Sequence, residues 1–340
     1  MKLADFDYVL PKESIAQYPL RERDTARLLV LNRHHGTIEH CSFRNIIEYL
    51  HKDDLLVLNN TKVLPSRLKG QRLTGGQVEL LLLNRKAGLT FNTLIKPSRV
   101  KIGEKIIFNG NKSYAIVNAR NEIIFSAQDI NAVYKLGQMP LPPYIKREPE
   151  DLDNIYYQTV YAKEEGAVAS PTAGLHFTEE LIKKLPSSGI NIAYITLHVG
   201  YATFHPVKCD DITQHKMEPE YFKINPRTSR LIEKAQRQKA RIFAVGTTSL
   251  RTLETYASGI KKGYTDLFIY PGYKFKMVDC LLTNFHLPRT TLFMLVSAFC
   301  AAGASSAAGR AGLELAKKAY QEAIDKKYRF YSYGDAMLII

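Results

Sequence analysis

Leu55-Leu-Val-Leu-Asn-Asn-Thr-Lys62-Val-Leu-Pro-Ser-Arg67-Leu-Lys-Gly-Gln-Arg72 changes character halfway along, and that change decides the fold. Its first four residues form an uninterrupted apolar run of strand length, the pattern of a strand buried on both faces. Upstream, Ala26-Arg-Leu-Leu-Val-Leu31 reads the same way. Between the two runs, residues 43–51 place Phe43, Ile46, Ile47 and Leu50 on one face of a helix. Strand, helix, strand begins an α/β layer. After Lys62 the pattern is different. Residues 67–72, 78–83, 89–95, 105–108, 114–117 and 122–125 are short β-prone segments separated by Gly75-Gly76, Gly88, Asn109-Gly110 and Arg120-Asn121. No helical period intervenes, which is how an antiparallel barrel or sandwich reads. The expected fold is a mixed-sheet α/β domain, residues 1–60 and 144–340, with an inserted antiparallel β-barrel domain at 61–143.

Beyond the insertion the α/β pattern resumes. Residues 190–197 read as a strand, and Asn225-Pro226 opens a helix as N-cap and first residue. Arg241-Ile-Phe-Ala-Val245 is a strand running into Gly246-Thr-Thr-Ser249 and a helix through Tyr256. A strand at 266–269, an apolar helix at 291–299 and an amphipathic helix at 313–326 complete the expectation. Ala301-Ala-Gly-Ala-Ser-Ser-Ala-Ala-Gly309 is low-complexity and reads as a mobile or loosely packed linker.

Two stretches are candidate ligand sites. Gly166-Ala-Val-Ala-Ser-Pro-Thr172-Ala-Gly174-Leu-His176-Phe177 has too few large side chains for a core strand. Small residues suit a backbone that passes close to a ligand, although they also serve helix-to-sheet packing. Thr178 is an N-cap for the helix that follows, with Glu179 and Glu180 at its positive end and Pro186 as its stop. Gly246-Thr247-Thr248-Ser249 offers hydroxyls and free N–H groups at a helix start, suited to a carboxylate or a phosphate, and Arg251 could add a bidentate hold. His176, Asp279 and His286 are the titratable groups placed for proton transfer, since histidine shuttles protons near neutral pH. No dinucleotide-binding glycine motif, P-loop or nucleophile elbow occurs. His198, His205, Cys209 and His215 match no familiar ligand spacing, so no metal is expected.

Composition narrows the partners. A chain of 340 residues exceeds the ~250–300 at which single cores stop growing. Four scattered cysteines without a C-x-x-C pair suit a reducing cytoplasm. No run approaches the ~18 apolar residues of a membrane helix. The net charge of +14 points to a polyanion, and residues 61–110 carry ten Lys or Arg against two Glu. Lys62, Arg67, Lys96, Arg99 and Lys101 are the candidate nucleic-acid contacts.

Further blocks sharpen the reading. Leu141-Pro-Pro-Tyr-Ile-Lys-Arg147, Tyr157-Gln-Thr-Val-Tyr161, Thr196-Leu-His198-Val-Gly200, Pro271-Gly-Tyr273-Lys-Phe, Leu282-Thr-Asn-Phe-His286-Leu-Pro288 and Tyr331-Ser-Tyr-Gly-Asp335 stand in order around the two stretches above. Together these blocks resemble the S-adenosylmethionine:tRNA ribosyltransferase-isomerase family of the queuosine pathway, from Asp5 to the C-terminus. The resemblance implies transfer and isomerisation of the ribosyl part of S-adenosylmethionine onto 7-aminomethyl-7-deazaguanine at the tRNA wobble position, releasing adenine and methionine. It implies a consumed substrate and no cofactor, a tRNA partner, and a cytoplasmic, monomeric enzyme. Mapped onto those needs, His176 is the first choice for proton transfer, with Asp279 or His286 as partner. Thr172, Gly174, Gly246, Thr247, Thr248 and Arg251 would hold S-adenosylmethionine, and Tyr273 and Phe285, with Tyr270, would stack on adenine or the target base, or face the sulfonium by cation–π contact. The chain departs from the family pattern at Ala167, Ser170 and Tyr201-Ala202. A further departure is Met217-Glu-Pro-Glu220, where a histidine beside Glu220 is more usual. An S-adenosylmethionine-dependent RNA methyltransferase and a non-enzymatic RNA-binding module remain alternatives at this point.

Overall fold

The computed structural model describes residues 1–108, 110, 113–201, 207–301 and 308–340. His205, Ala202 and most of the low-complexity run after Ala301 therefore lie outside the described residues.

The apolar runs form the centre of a large sheet. In chain order its strands are β1 (Arg27–Asn32), β2 (Thr37–Ser42) and β3 (Leu55–Asn59). A short strand β4 (Thr61–Val63) leads into the barrel strands β5 (Arg67–Arg72), β6 (Gln77–Arg85), β7 (Thr90–Lys96), β8 (Lys105–Phe108), β9 (Ser113–Ala119) and β10 (Glu122–Ser126). Then come β11 (Gly137–Gln138), β12 (Glu164–Ala167), β13 (Asn191–Leu197), β14 (Glu220–Ile224), β15 (Ile242–Val245), β16 (Lys262–Thr265), β17 (Cys280–Asn284) and β18 (Ala336–Ile339). The nine-stranded sheet has the order β16-β14-β13-β3-β15-β17-β18-β1-β2. Its central strands β13, β3, β15 and β17 are mutually parallel. Their side chains alternate between two cores: Leu55 and Val57 face one, Leu56 and Leu58 the other. That is why the run is apolar at every position.

Around the sheet pack α3 (Glu179–Ser187), α4 (Pro226–Gln238), α5 (Thr247–Tyr256), α6 (Thr291–Cys300) and α7 (Ala308–Asp325), after the short helices α1 (Ile130–Tyr134) and α2 (Asp153–Tyr156). The N-caps at Thr178 and Asn225 form as expected, accepting from Leu181 N at 3.1 Å and Thr228 N at 2.9 Å. Pro186 does not stop α3 but sits in its last turn. Phe43–Tyr49 is a 3-10 helix, not an α-helix. A short segment with Asn45 and adjacent β-branched Ile46 and Ile47 has little α propensity. The strand expected at 266–269 lies instead at Lys262–Thr265, because Leu267 spends its backbone on side chains. Its carbonyl accepts from Arg251 Nε at 2.9 Å and its N–H donates to Thr265 Oγ1 at 3.3 Å.

The inserted segment closes into a barrel in the order β5-β6-β7-β10-β9-β8, with β8 pairing back onto β5. Leu68, Leu80, Phe91, Ile106, Phe108, Ile123 and Phe125 fill it. Gly70 permits the closure: a Cβ there would lie 2.6 Å from Ile106 and 2.7 Å from Phe108. The ribbon of β4 with β12 ties the barrel to the large sheet.

Candidate active site

Parallel sheets bind ligands in the crevice outside the carboxyl ends of their strands, and here the ends of β3, β13, β15 and β17 meet a narrow cleft with a free volume of about 50 Å³. Asn59 ends β3 and organises the floor. Its Oδ1 accepts from Thr61 N and Leu197 N, while Nδ2 donates to Leu197 O at 3.0 Å and to Thr248 Oγ1 at 3.2 Å. Past β15, Gly246 turns the chain at φ +88°, a conformation that penalises any Cβ, and starts α5 at Thr247. Thr247 and Thr248 line the cleft, where the first N–H groups of a helix have no intrahelical partner. On the facing wall, Ser170 lines the cleft, is 6% exposed, and its hydroxyl has no hydrogen-bond partner. A buried, unsatisfied hydroxyl opposite a helix start is a place for a polar ligand group.

Tyr144, Tyr157 and Tyr331 bring aromatic rings to the same cleft, and Thr172, Asn284 and His286 complete its chemistry. Thr172 Oγ1 donates to Asn284 Oδ1 at 2.9 Å, and Asn284 Nδ2 pairs with His176 Nε2 at 3.1 Å. Thr283 Oγ1 holds His286 Nε2 at 2.9 Å. Burial pushes both imidazoles down to about 3, for His176 with help from the Arg23 and Arg329 guanidinium groups. Both are neutral at physiological pH. Among the described lining residues, therefore, no side chain carries a charge.

Of the residues picked from sequence, Thr172, Gly246, Thr247, Thr248 and His286 come together here. Others do not. His176 sits behind Asn284, against Phe43, and borders a separate small cavity beside Arg23. Asp279 precedes β17, at its amino end, and its carboxylate accepts from Ile242 N at 2.8 Å. The cleft lies at the carboxyl end, roughly 16 Å away at ~3.3 Å per strand residue, so Asp279 is too far to act there. Arg251 turns from the cleft into a buried ion pair with Glu220. Tyr273 donates to Glu254 at 3.2 Å, and Glu254 also collects the N–H groups of Lys276, Met277 and Val278. Phe285 is wholly enclosed by Tyr320, Tyr328 and Phe330, leaving no face for a base. Gly174 serves packing: a Cβ would meet the Tyr161 hydroxyl at 2.1 Å.

The tyrosines, Ser170, Thr283 and Asn284 were missed as site residues. Each stood in a block noted above, but nothing in the spacing said that these blocks converge.

The candidate nucleic-acid contacts divide into two sets. Lys62 pairs with Glu165 at 2.9 Å, and Arg67 with Glu79 at 2.7 Å. Glu165 is 103 residues from Lys62, while Glu79 lies 12 residues from Arg67 on the adjacent strand. Lys96, at the end of β7, and Arg99 and Lys101, on the β7–β8 connection, are exposed and make no ion pair among the described residues. Among the described residues, no three His, Cys, Asp or Glu side chains form a metal-binding group.

Comparison with known proteins agrees across the whole chain. A family model described as queuosine biosynthesis protein matches residues 3–339. An S-adenosylmethionine:tRNA ribosyltransferase-isomerase of Sulfurihydrogenibium sp. (strain YO3AOP1) is 52% identical over 100% of both chains. One of the same name from Aquifex aeolicus (strain VF5) is 47% identical over 100% of both. A crystal structure of an S-adenosylmethionine tRNA ribosyltransferase from Thermotoga maritima matches at 37% identity and a TM-score of 0.56, covering 99% of this chain and 100% of that one.

Proposed function

The chain belongs to the queuosine biosynthesis protein family, and from that premise we propose that its uncharged cleft transfers and isomerises the ribosyl moiety of S-adenosylmethionine onto 7-aminomethyl-7-deazaguanine at the tRNA wobble position. The products are epoxyqueuosine-tRNA, adenine and methionine. S-adenosylmethionine is consumed as a substrate and no cofactor takes part. The enzyme works as a monomer in the cytoplasm; among the described residues no helix is long and apolar enough to cross a membrane.

The observation that carries this reading is the electrostatic character of the cleft. A sulfonium is a permanent cation, and a cleft without a positive side chain admits it, while the rings of Tyr144, Tyr157 and Tyr331 can face it with their negative π surface. The substrate's carboxylate finds its complement at the start of α5, with Thr247, Thr248 and the Ser170 hydroxyl as donors. Acidification of the ribose 5′ carbon by the sulfonium means that a neutral imidazole suffices as proton acceptor, and His286 is the imidazole that lines the cleft. Thr283 fixes its ring, and Asn284, held by Thr172 and His176, fixes the wall beside it.

Product analysis separates this chemistry from methyl transfer. With S-adenosylmethionine and precursor-modified tRNA, adenine and methionine should appear in step with ribosylated tRNA, measured by chromatography. Formation of S-adenosylhomocysteine with methylated RNA would overturn the reading. A non-enzymatic RNA-binding module would release neither set.

The tRNA contacts of the barrel follow from the ion-pair pattern. We assign phosphate contact first to Lys96, Arg99 and Lys101, and second to Lys62 and Arg67, whose charge is already matched by carboxylates. Each neutralised phosphate contributes ~0.7–0.9 to the slope of log affinity against log salt. Replacing Lys96, Arg99 and Lys101 together by Gln should flatten that slope by roughly 2–3, while the Lys62 and Arg67 pair should change it less. Binding of tRNA across a salt series decides: an unaltered slope in the triple variant places the RNA elsewhere.

A further inference from the structure

Three strands at one edge of the large sheet carry a row of aromatic rings that the cleft above does not use. His198 follows β13, Tyr221 lies on β14 and Tyr264 on β16, the outermost strand. His198 N donates to Tyr221 O at 2.9 Å, and Tyr221 is the register partner of Tyr264, so the residues stand side by side across the sheet. The imidazole stacks on the Tyr221 ring at 5.5 Å and 19°, and Tyr221 meets Tyr264 edge-on at 5.8 Å. Two features fix His198. Its Nδ1 is 2.8 Å from Thr61 Oγ1, and the Gly166 backbone comes so close that a Cβ there would lie 2.8 Å from the ring. Tyr264, by contrast, is 70% exposed, a large ring held out at a sheet edge.

All three rings line one cavity between the sheet edge and the barrel, of about 590 Å³. Val199 belongs to the walls of both this cavity and the uncharged reaction cleft. At its other end the cavity shares Leu94 and Tyr201 with a groove that holds Arg67, Lys96 and Lys146. An uncharged cleft, an aromatic row and a groove with four cations, Arg67, Lys96, Lys146 and Arg147, against Glu79 and Glu148 thus follow one another along the junction of barrel and sheet. The aromatic cavity also holds Arg85, Glu165, Glu218 and Glu220, of which Glu165 pairs with Lys62 and Glu220 with Arg251.

We propose that this aromatic row is the stacking platform for unpaired bases of the tRNA anticodon loop, with the target base innermost and the neighbouring phosphates led out past Lys96 and Lys146. The proposal rests on the ribosyl-transfer reading above and adds where the RNA lies. Proteins that hold single-stranded nucleic acid combine a basic track with aromatic side chains on which bases stack, because every base offers a π face. An enzyme acting on a base must also take it out of the stack and receive it in a pocket. The junction supplies both, next to the reaction cleft. An exposed ring aligned with two others and leading to Lys96 and Lys146, in a chain of net charge +14, is what a base-stacking platform needs.

The test compares Tyr264→Ala and Tyr264→Phe with the wild type in the adenine-release assay, with S-adenosylmethionine affinity measured by calorimetry. Removal of one stacked ring should raise KM for precursor tRNA roughly 5- to 150-fold, the range for one base-stacking contact. Tyr264→Phe keeps the ring and should restore KM to near the wild-type value, and S-adenosylmethionine affinity should be the same in all three. A KM in Tyr264→Ala within twofold of the wild type overturns the platform. So does a Phe variant as impaired as the Ala variant, or a loss of S-adenosylmethionine affinity, which would put the ring in the other cleft. In each of these cases a wild type that releases adenine leaves the ribosyl-transfer reading standing. A wild type that releases none overturns both.

Discussion

His286→Ala should lower kcat by roughly 10²–10⁴, the usual worth of a positioned acid or base, while His176→Ala should leave kcat within a few-fold. The two imidazoles look alike in sequence and in burial, and both are held near 3. Their places differ. His286 lines the proposed reaction cleft, whereas His176 reaches it through the Asn284 amide. Removing His176 therefore costs stability: it opens a cavity beside Phe43 and takes one acceptor from Asn284. Steady-state kinetics with both variants decides, and a larger kcat loss in His176→Ala would exchange the two roles. The pH behaviour follows from the same shifts. A histidine with a folded pKa below its unfolded ~6.5 binds fewer protons in the native state, so stability is full above ~6.5 and falls as pH drops toward 3. Neither imidazole changes charge between pH 6 and 8, so neither should put a limb on the kcat profile of that range. Urea midpoints falling from pH 6.5 to 4.5, beside a flat histidine region in kcat, are the expected pair of results.

Much of this arrangement was legible from residues, and what was not has a physical cause. Leu55-Leu-Val-Leu58 announces a strand covered on both faces because each of its side chains must be apolar. The barrel shows itself through short β-prone segments and glycine punctuation, though not the closure that Gly70 permits. Polar Thr37–Ser42 escaped notice because β2 is an edge strand with one neighbour and little to bury. In the site, Gly246-Thr-Thr is readable since a helix start is a local feature. Asp279 misled for the opposite reason: chemistry is visible in sequence, but which end of β17 faces the ligand is set by strand direction. Tyr144, Tyr157 and Tyr331 meet only because the segments on either side of α2 and the one before β18 fold over one cleft. The row of His198, Tyr221 and Tyr264 is likewise a product of cross-strand register, with no periodic trace along the chain.

Arg251→Ala should cost about 3–5 kcal/mol of stability, the cost of leaving one partner of a buried ion pair behind. Arg251 and Glu220 are both nearly fully buried and paired through Nη1. The guanidinium also donates to Leu267 O and Thr265 O, while Glu220 Oε1 accepts from Gly200 N at 2.9 Å. The pair thus joins α5, β14, the segment after β16 and the turn after β13. With the arginine gone, the Glu220 carboxylate keeps its desolvation cost and loses its main compensation, and two backbone carbonyls lose a donor. The reverse change, Glu220→Ala, should be of similar size. The double variant Arg251→Met with Glu220→Gln should recover part of the loss, because a neutral pair of similar volume carries no stranded charge. These substitutions also probe the carboxylate clamp once expected of Arg251. If the guanidinium bound the substrate's carboxylate, Arg251→Ala would weaken S-adenosylmethionine far more than it weakened the fold. The buried pairing of Arg251 leads us to expect the opposite order, with the clamp proposed above at the start of α5 and Ser170. Urea unfolding with unchanged m, read beside calorimetric affinity at a temperature where the variant stays folded, separates the two. A fold weakened by less than 1 kcal/mol, or an affinity loss exceeding the stability loss, would return Arg251 to the cleft.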